Sequence, residues 1–322
     1  MTTIMERVDR TARIPPTHLR VDPPPPRSIK IEITGVCNLR CGFCALTKRP
    51  IQPTKPMEWG LLERLIRESR EFGIEEIGAF YIGESFTATD ELVATVRLGK
   101  EVGYKNRFLT SNATISTPER VRAAIEAGLT SLKWSVNNAN AKQFAEVTQR
   151  PERLFYMALE NIKAALAVRD EVFRRTGHWC ELSASSIRYN AEQMRLMQPF
   201  LEKHVLPFVD HHYKLPPYTM GGPPIDQELQ LGIIPTAGNQ GRIGALVDPI
   251  PCWAVFNEAH VTSSGMLTAC CFDADGSWTM ADLKKVPLAT GWHSDVFKTL
   301  RLAHLKGDVR GTVCERCALY VG

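Results

Sequence analysis

No window of the 322-residue sequence approaches eighteen uninterrupted apolar residues, which argues against a membrane-spanning helix. The N-terminus also lacks an apolar core ahead of a small-residue cleavage site. Nothing therefore predicts secretion, and the cytoplasm is the expected compartment. Strong charge is absent as well. A net charge of +4 spread along the chain supplies no nucleic-acid groove, while leaving room for a small anionic partner. A further absence is more specific. Cys37, Cys41 and Cys44 crowd into eight residues of "EITGVCNLRCGFCALTKRP", and no fourth cysteine stands beside them. A metal site closed by protein alone usually needs four ligands.

The chain holds nine cysteines, which in a reducing compartment read as metal ligands or catalysts rather than disulfides. Besides the first three, Cys252, Cys270, Cys271, Cys314 and Cys317 cluster near the end, and Cys180 stands alone. An apolar content of 44% at this length suits one large domain plus a small one.

Residues 1–27 end in "DPPPP" and are expected to form an extended, non-helical lead-in. Strand patterns follow at 28–34, 75–83, 106–112, 130–136, 180–188 and 206–214. Helical patterns separate them. One spans 57–72, with Leu61, Leu62, Leu65, Ile66 and Phe72 at helical spacing and Gly73 as a stop; another spans 117–127 and stops at Gly128. Six β/α units in a row predict an α/β fold with a parallel sheet curled into a partial (β/α)6 TIM-like barrel over 28–215. Residues 216–251, rich in Pro and Gly, read as a linker or lid. Residues 252–322 read as a small α+β metal-bound appendage.

In such sheets the loops after the strands carry the chemistry, and the three-cysteine loop follows the first strand. Cys-x3-Cys-x2-Cys suits a cubane iron–sulfur cluster with three irons held by protein and the fourth left open to a small molecule. A zinc site completed by a distant residue, or three incidental thiols, is the plainer alternative.

The motif, with Phe43 before its last cysteine, resembles the signature of the radical S-adenosylmethionine (SAM) superfamily. That resemblance implies a SAM-binding [4Fe–4S] cluster on Cys37, Cys41 and Cys44, with Phe43 beside the adenine. It implies reductive cleavage of SAM to a 5′-deoxyadenosyl radical, which takes a hydrogen atom from a substrate. "YIGES" resembles the family's Gly-Gly-Glu motif at Gly83 and Glu84, although Ile82 replaces the first glycine. "LTSNAT" matches a third-strand element at Ser111 and Asn112, and "WSVNN" a fourth-strand element at Ser135 and Asn137. Ser183, Ser185 and Arg188 on the fifth strand are further candidates for the SAM ribose and carboxylate. Each of these residues taken singly could be an ordinary turn or strand-end residue.

The set Cys252, Cys270, Cys314 and Cys317 would by itself suit a zinc ribbon. Behind such a barrel it resembles a SPASM or twitch auxiliary domain. Because the further cysteines of a full SPASM domain are missing, the resemblance implies the twitch-type form with one auxiliary [4Fe–4S] cluster. Cys271 neighbours Cys270, and either could be the cluster ligand; if Cys270 binds iron, Cys271 on an extended segment faces the other way. It is either a small buried residue or a thiol that returns a hydrogen atom to a substrate radical. Cys180 has the same two readings. His211 and His212 are acid/base or structural candidates of which alternation lets only one face the cavity.

A barrel and a cluster left one ligand short favour an enzyme over an electron carrier or a scaffold. The expected function is a radical SAM oxidoreductase or epimerase acting on a small polar substrate: a sugar, aminocyclitol or aminoglycoside. A flavodoxin or ferredoxin-type donor would feed it electrons. The short segment before the first strand tilts away from the alternative of a peptide- or protein-modifying enzyme.

Overall fold

The computed structural model describes residues 3–44, 46, 49, 52–187, 191–215, 250–271, 273 and 278–315. Six parallel strands lie side by side in chain order: β1 (Ser28–Ile31), β2 (Glu76–Gly78), β3 (Asn106–Ser111), β4 (Ser131–Ser135), β5 (Glu181–Ile187) and β6 (His211–Leu215). After a helix α1 (Ile4–Ala12), the crossovers are filled by α2 (Trp59–Glu71), α3 (Thr89–Glu101), α4 (Pro118–Ala127), α5 (Ala141–Thr148), α6 (Arg153–Thr176) and α7 (Ala191–His204). The sheet stays open at β6, so the barrel is partial. Among the described residues no helix is long and apolar enough to cross a membrane.

Local signals account for these elements. In α2, Leu62, Leu65, Ile66 and Ser69 recur at helical spacing and are buried. The Glu58 carboxylate caps the helix by accepting from the Gly60 and Leu61 N–H groups, each at 2.9 Å. In β1, Ile29 and Ile31 are fully buried in the core while Lys30, of opposite parity, lines the barrel interior. Complete burial of each such isoleucine contributes about 1.5–3 kcal/mol.

Three expectations are corrected. The lead-in is not wholly extended: α1 opens with a capping box in which Thr3 and Glu6 satisfy each other's backbone N–H. The prolines govern only the stretch they occupy. Arg7 pairs with Glu181 at 3.0 Å and Arg10 with Glu76 at 2.6 Å, so α1 lies across the N-terminal end of the strands. The sixth strand does not start at 206. Pro207 cannot donate to a ladder, and residues Leu206–Phe208 form a 3-10 turn before β6. Finally, the last segment is joined to the barrel sheet. Strand β7 (Glu258–Val261), after a short helix α8 (Ala254–Asn257), pairs in parallel with β1, and antiparallel β8 (Met266–Thr268) and β9 (Thr279–Asp282) extend the sheet. Helices α9 (Leu288–Trp292) and α10 (Asp295–Leu305) follow. The linker or lid expected over 216–251 lies, up to 249, outside the described residues.

Candidate active site

The strand ends and the loops after them surround a cavity of about 390 Å³. Cys37, Cys41 and Cys44 line it, together with Phe43, Gly83, Glu84, Ser111, Asn112, Ser135, Asn137 and Ser185. Ser183 does not; its side chain is fully buried on β5. Arg188 lies outside the described residues.

The cysteine loop is pinned from both sides. Arg40 and Gly42 donate their backbone N–H to the Thr148 and Val147 carbonyls at 2.9 and 3.1 Å, and Arg150 Nε donates to the Asn38 carbonyl at 2.7 Å. Beyond the last cysteine, Arg49 grips Glu32 at 2.9 and 3.1 Å. The same carboxylate accepts from Gly83 N–H at 3.3 Å and Ser263 N–H at 2.9 Å. One buried acid thus ties the cysteine loop, the turn after β2 and the β7–β8 hairpin together. Asn112 Nδ2 points at Cys37 Sγ from 3.8 Å, and Leu39 N–H does so from 3.5 Å.

Among the described residues no three Cys, His, Asp or Glu side chains are drawn together at metal-holding distance. The fit to an iron–sulfur cluster therefore rests on the donor set. Burial pushes the Cys37 thiol up to about 12, the Glu84 carboxylate adding to the effect. Burial also raises Cys41, with the Cys44 and Cys37 thiolates repelling its own. Thiolates as buried as those of Cys37 and Cys41, close to each other and to Cys44, persist only around a strong positive charge, which iron supplies. The N–H groups aimed at Cys37 Sγ suit metal-bound sulfur.

Gly83 and Glu84 occupy the turn after β2. Glu84 is almost wholly buried and accepts from Asn112 N–H at 2.7 Å and Phe86 N–H at 3.2 Å. Burial nevertheless raises its carboxyl to about 7. A Cβ on Gly83 would sit 2.1 Å from the Thr34 carbonyl oxygen, so only glycine permits this approach of the second strand to the first. Gly83→Ala is expected to displace that backbone at a cost of about 1–3 kcal/mol. Calorimetric titration of the anaerobic protein should then find SAM bound roughly tenfold or more weakly; unchanged affinity would show that the turn is not part of the SAM site.

On the barrel floor, Lys30 and Lys133 reach the cavity from β1 and β4. Lys30 pairs with Glu258 at 2.8 Å, and His260 Nε2 lies 2.8 Å from the same carboxylate. Cys271 lines the cavity and Cys270 does not. Tyr81 hydroxyl lies 2.7 Å from the Cys270 carbonyl, 3.1 Å from that of Asp273 and 3.0 Å from Thr268 Oγ1. It anchors the segment carrying Cys271.

Neither histidine of β6 lines the cavity. His211 Nε2 lies 3.3 Å from Glu181 near α1, and His212 Nε2 lies 3.0 Å from Ser186 Oγ. Cys180 is fully buried in the core. Cys252, Cys270 and Cys314 are half-buried and form no disulfide among the described residues, and Cys317 lies outside them. Sequence reasoning missed Glu32, Arg49, Tyr81, Lys30 and Lys133. The alternating β1 pattern, with polar Ser28, Lys30 and Glu32 on one face, was the available signal.

The Radical SAM superfamily model matches residues 31–177, and the model of SPASM, an iron–sulfur cluster-binding domain, matches residues 252–318. GTP 3′,8-cyclase of Synechococcus elongatus is 27% identical over 273 residues, 76% of this chain and 80% of that protein. GTP 3′,8-cyclase of Aquifex aeolicus is 30% identical over 138 residues, but this match spans 40% of the chain and only 41% of that protein. Among solved structures, Streptococcus suis SuiB bound to S-adenosylmethionine superposes with a TM-score of 0.64 at 14% identity, over 86% of this chain and 68% of that one. BtrN in complex with AdoMet and 2-DOIA gives a TM-score of 0.56 at 15% identity, over 92% and 94%. These likenesses show the fold. With both domain matches in the order that the cysteines follow, the chain belongs to the radical SAM superfamily and ends in a SPASM domain, so that its cofactors are SAM, a SAM-binding [4Fe–4S] cluster and auxiliary iron–sulfur clusters.

Proposed function

We propose that this chain is a radical oxidoreductase or epimerase that removes a hydrogen atom from a small polar substrate, a sugar or aminocyclitol, held over the barrel floor. The observation that carries this reading is a single cavity with the three-cysteine loop at its rim and polar strand residues below it. Bound together, the cluster and SAM supply the 5′-deoxyadenosyl radical that performs the abstraction. Cys37, Cys41 and Cys44 would hold the cluster. Glu84 would receive the methionine ammonium, its burial making the carboxylate a strong partner once a cation arrives. Ser111, Asn112, Ser135, Asn137 and Ser185 would hold the ribose and carboxylate, and Phe43 would cover the adenine. Cys252, Cys270, Cys314 and Cys317 would ligate one auxiliary cluster, as in a twitch-type domain. A reducing cytoplasm with a flavodoxin or ferredoxin-type donor suits this thiol set.

Cys271, at the cavity wall, would give a hydrogen atom to the substrate radical and be restored by an electron and a proton from the donor. The product would then be an epimer. Cys271→Ala is expected to retain 5′-deoxyadenosine formation while losing at least roughly 90% of epimer, a tenfold change equivalent to about 1.4 kcal/mol. Mass spectrometry of the wild-type product decides the class: loss of two hydrogens marks oxidation, and no change marks inversion. Absence of 5′-deoxyadenosine from reduced, reconstituted enzyme would refute the reading as a whole.

The cyclase relatives favour a second reading, in which the substrate is GTP. It predicts that GTP is consumed under the same conditions, whereas the first reading leaves it intact.

A further inference from the structure

The cations that meet inward-facing positions of the barrel strands share a habit. Arg7 meets Glu181 at 3.0 Å, Arg10 meets Glu76 at 2.6 Å, Lys30 meets Glu258 at 2.8 Å and Arg49 meets Glu32 at 2.9 Å. Lys133 departs from it. Among the described residues it has no carboxylate within salt-bridge distance, and the contact it makes is with the Tyr213 ring, whose centroid lies 5.6 Å from Nζ. A cation over a ring is held less firmly than one in an ion pair. Lys133 nonetheless points into the cavity.

Its neighbours on the ladder are hydroxyls. Thr110 on β3 and Ser183 on β5 stand opposite Lys133. Thr110 lines the cavity, whereas Ser183 is buried behind its wall. Resting on the proposed function, and deepening it, we propose that Lys133, with Thr110 beside it, forms a subsite for an anionic oxygen group of the substrate, a phosphate or a carboxylate. The substrate is accordingly an acidic sugar derivative rather than a polyamine such as an aminoglycoside, whose ammonium groups Lys133 would repel.

The test titrates anaerobic, cluster-loaded enzyme carrying SAM with ribose, ribose 5-phosphate and gluconate. At least one acidic sugar should bind where ribose does not, and which of the two binds separates phosphate from carboxylate. Lys133→Met should weaken that binding at least roughly tenfold, with Lys133→Arg restoring most of it. Should the methionine variant misfold by circular dichroism, the wild type still decides. The bound acidic sugar should shield Lys133 from reductive methylation, read by peptide mass spectrometry. Equal affinity for ribose and both acids, binding indifferent to Lys133, unshielded Lys133, or no binding of either acid would overturn the subsite. Failure of the wild type to form 5′-deoxyadenosine would count instead against the reaction class.

Discussion

Cys41→Ala is expected to abolish 5′-deoxyadenosine formation and to strip the SAM-binding cluster from reconstituted protein, with helix content by circular dichroism unchanged. The argument starts from the loop. Cys41 sits in a turn pinned by backbone hydrogen bonds to Val147 and Thr148 and packs beside the small apolar cluster of Leu39, Phe144 and Phe155. Those contacts survive loss of one sulfur, so the loop keeps its course. What is lost is one of three donors, and two thiolates cannot hold a cubane that already leaves one iron to SAM. Iron content and the visible absorption of the anaerobic protein report this directly. Cys180→Ala is the matched control. That thiol is fully buried among barrel side chains, burial pushes it up to about 12, and it lies away from the cavity. Its loss should leave SAM cleavage unchanged. If Cys41→Ala retains full iron and activity, the cysteine loop is not the cluster site.

The parts of this architecture that were legible in the sequence are those encoded over short spans. The strand and helix alternation of the barrel needs only local periodicity and stops such as Gly128, whose φ of 113° is the left-handed turn that ends α4. The three cysteines declare themselves by spacing alone. What escaped are pairings between distant residues. Arg7 and Glu181 are 174 residues apart, and nothing near Ile4–Ala12 announces that a barrel end awaits it. Strands of three or four residues, such as β7 and β8, carry too little alternation to show that they continue the barrel sheet rather than form their own. Nothing in the sequence singled out Lys133, because only the ladder reveals that hydroxyls rather than acids stand opposite it. The histidines of β6 kept both readings open for the same reason: strand position did not tell whether either would face the cavity.

The largest stability effect is expected at Glu258, where β7 meets β1. Its fully buried carboxylate accepts from Ser28 Oγ at 2.9 Å, pairs with Lys30 at 2.8 Å and faces His260 Nε2 at 2.8 Å. Burial by itself raises its proton affinity, but Lys30 and His260 overcome that and hold the carboxyl well below the usual range. Removing it by Glu258→Ala takes the carboxylate from the half-buried Lys30 and breaks this charge pair, a loss of about 3–5 kcal/mol. At about 2.1 cal/mol/K of unfolding entropy per residue, the melting midpoint should fall by about 4–7 °C. The sign of the pH dependence follows from the same groups. A carboxyl depressed in the fold gives stability that is present above its unfolded value of 4.5 and lost as pH falls through the lower folded one. Burial also lowers His260, which takes up protons more readily once unfolded, so acidification below 6.5 destabilises the fold through it too. Wild-type protein should therefore lose stability steadily on the acid side. In Glu258→Ala the limb below 4.5 should flatten while the His260 limb persists. A combined Lys30→Met, Glu258→Leu, His260→Phe variant should recover most of the lost midpoint, because replacing a whole buried charge cluster by apolar groups is close to neutral. It should still bind SAM, since all three residues lie below the cysteine loop. If Glu258→Ala melts like wild type, the seam between the barrel and its terminal strands is held by the β1–β7 ladder alone.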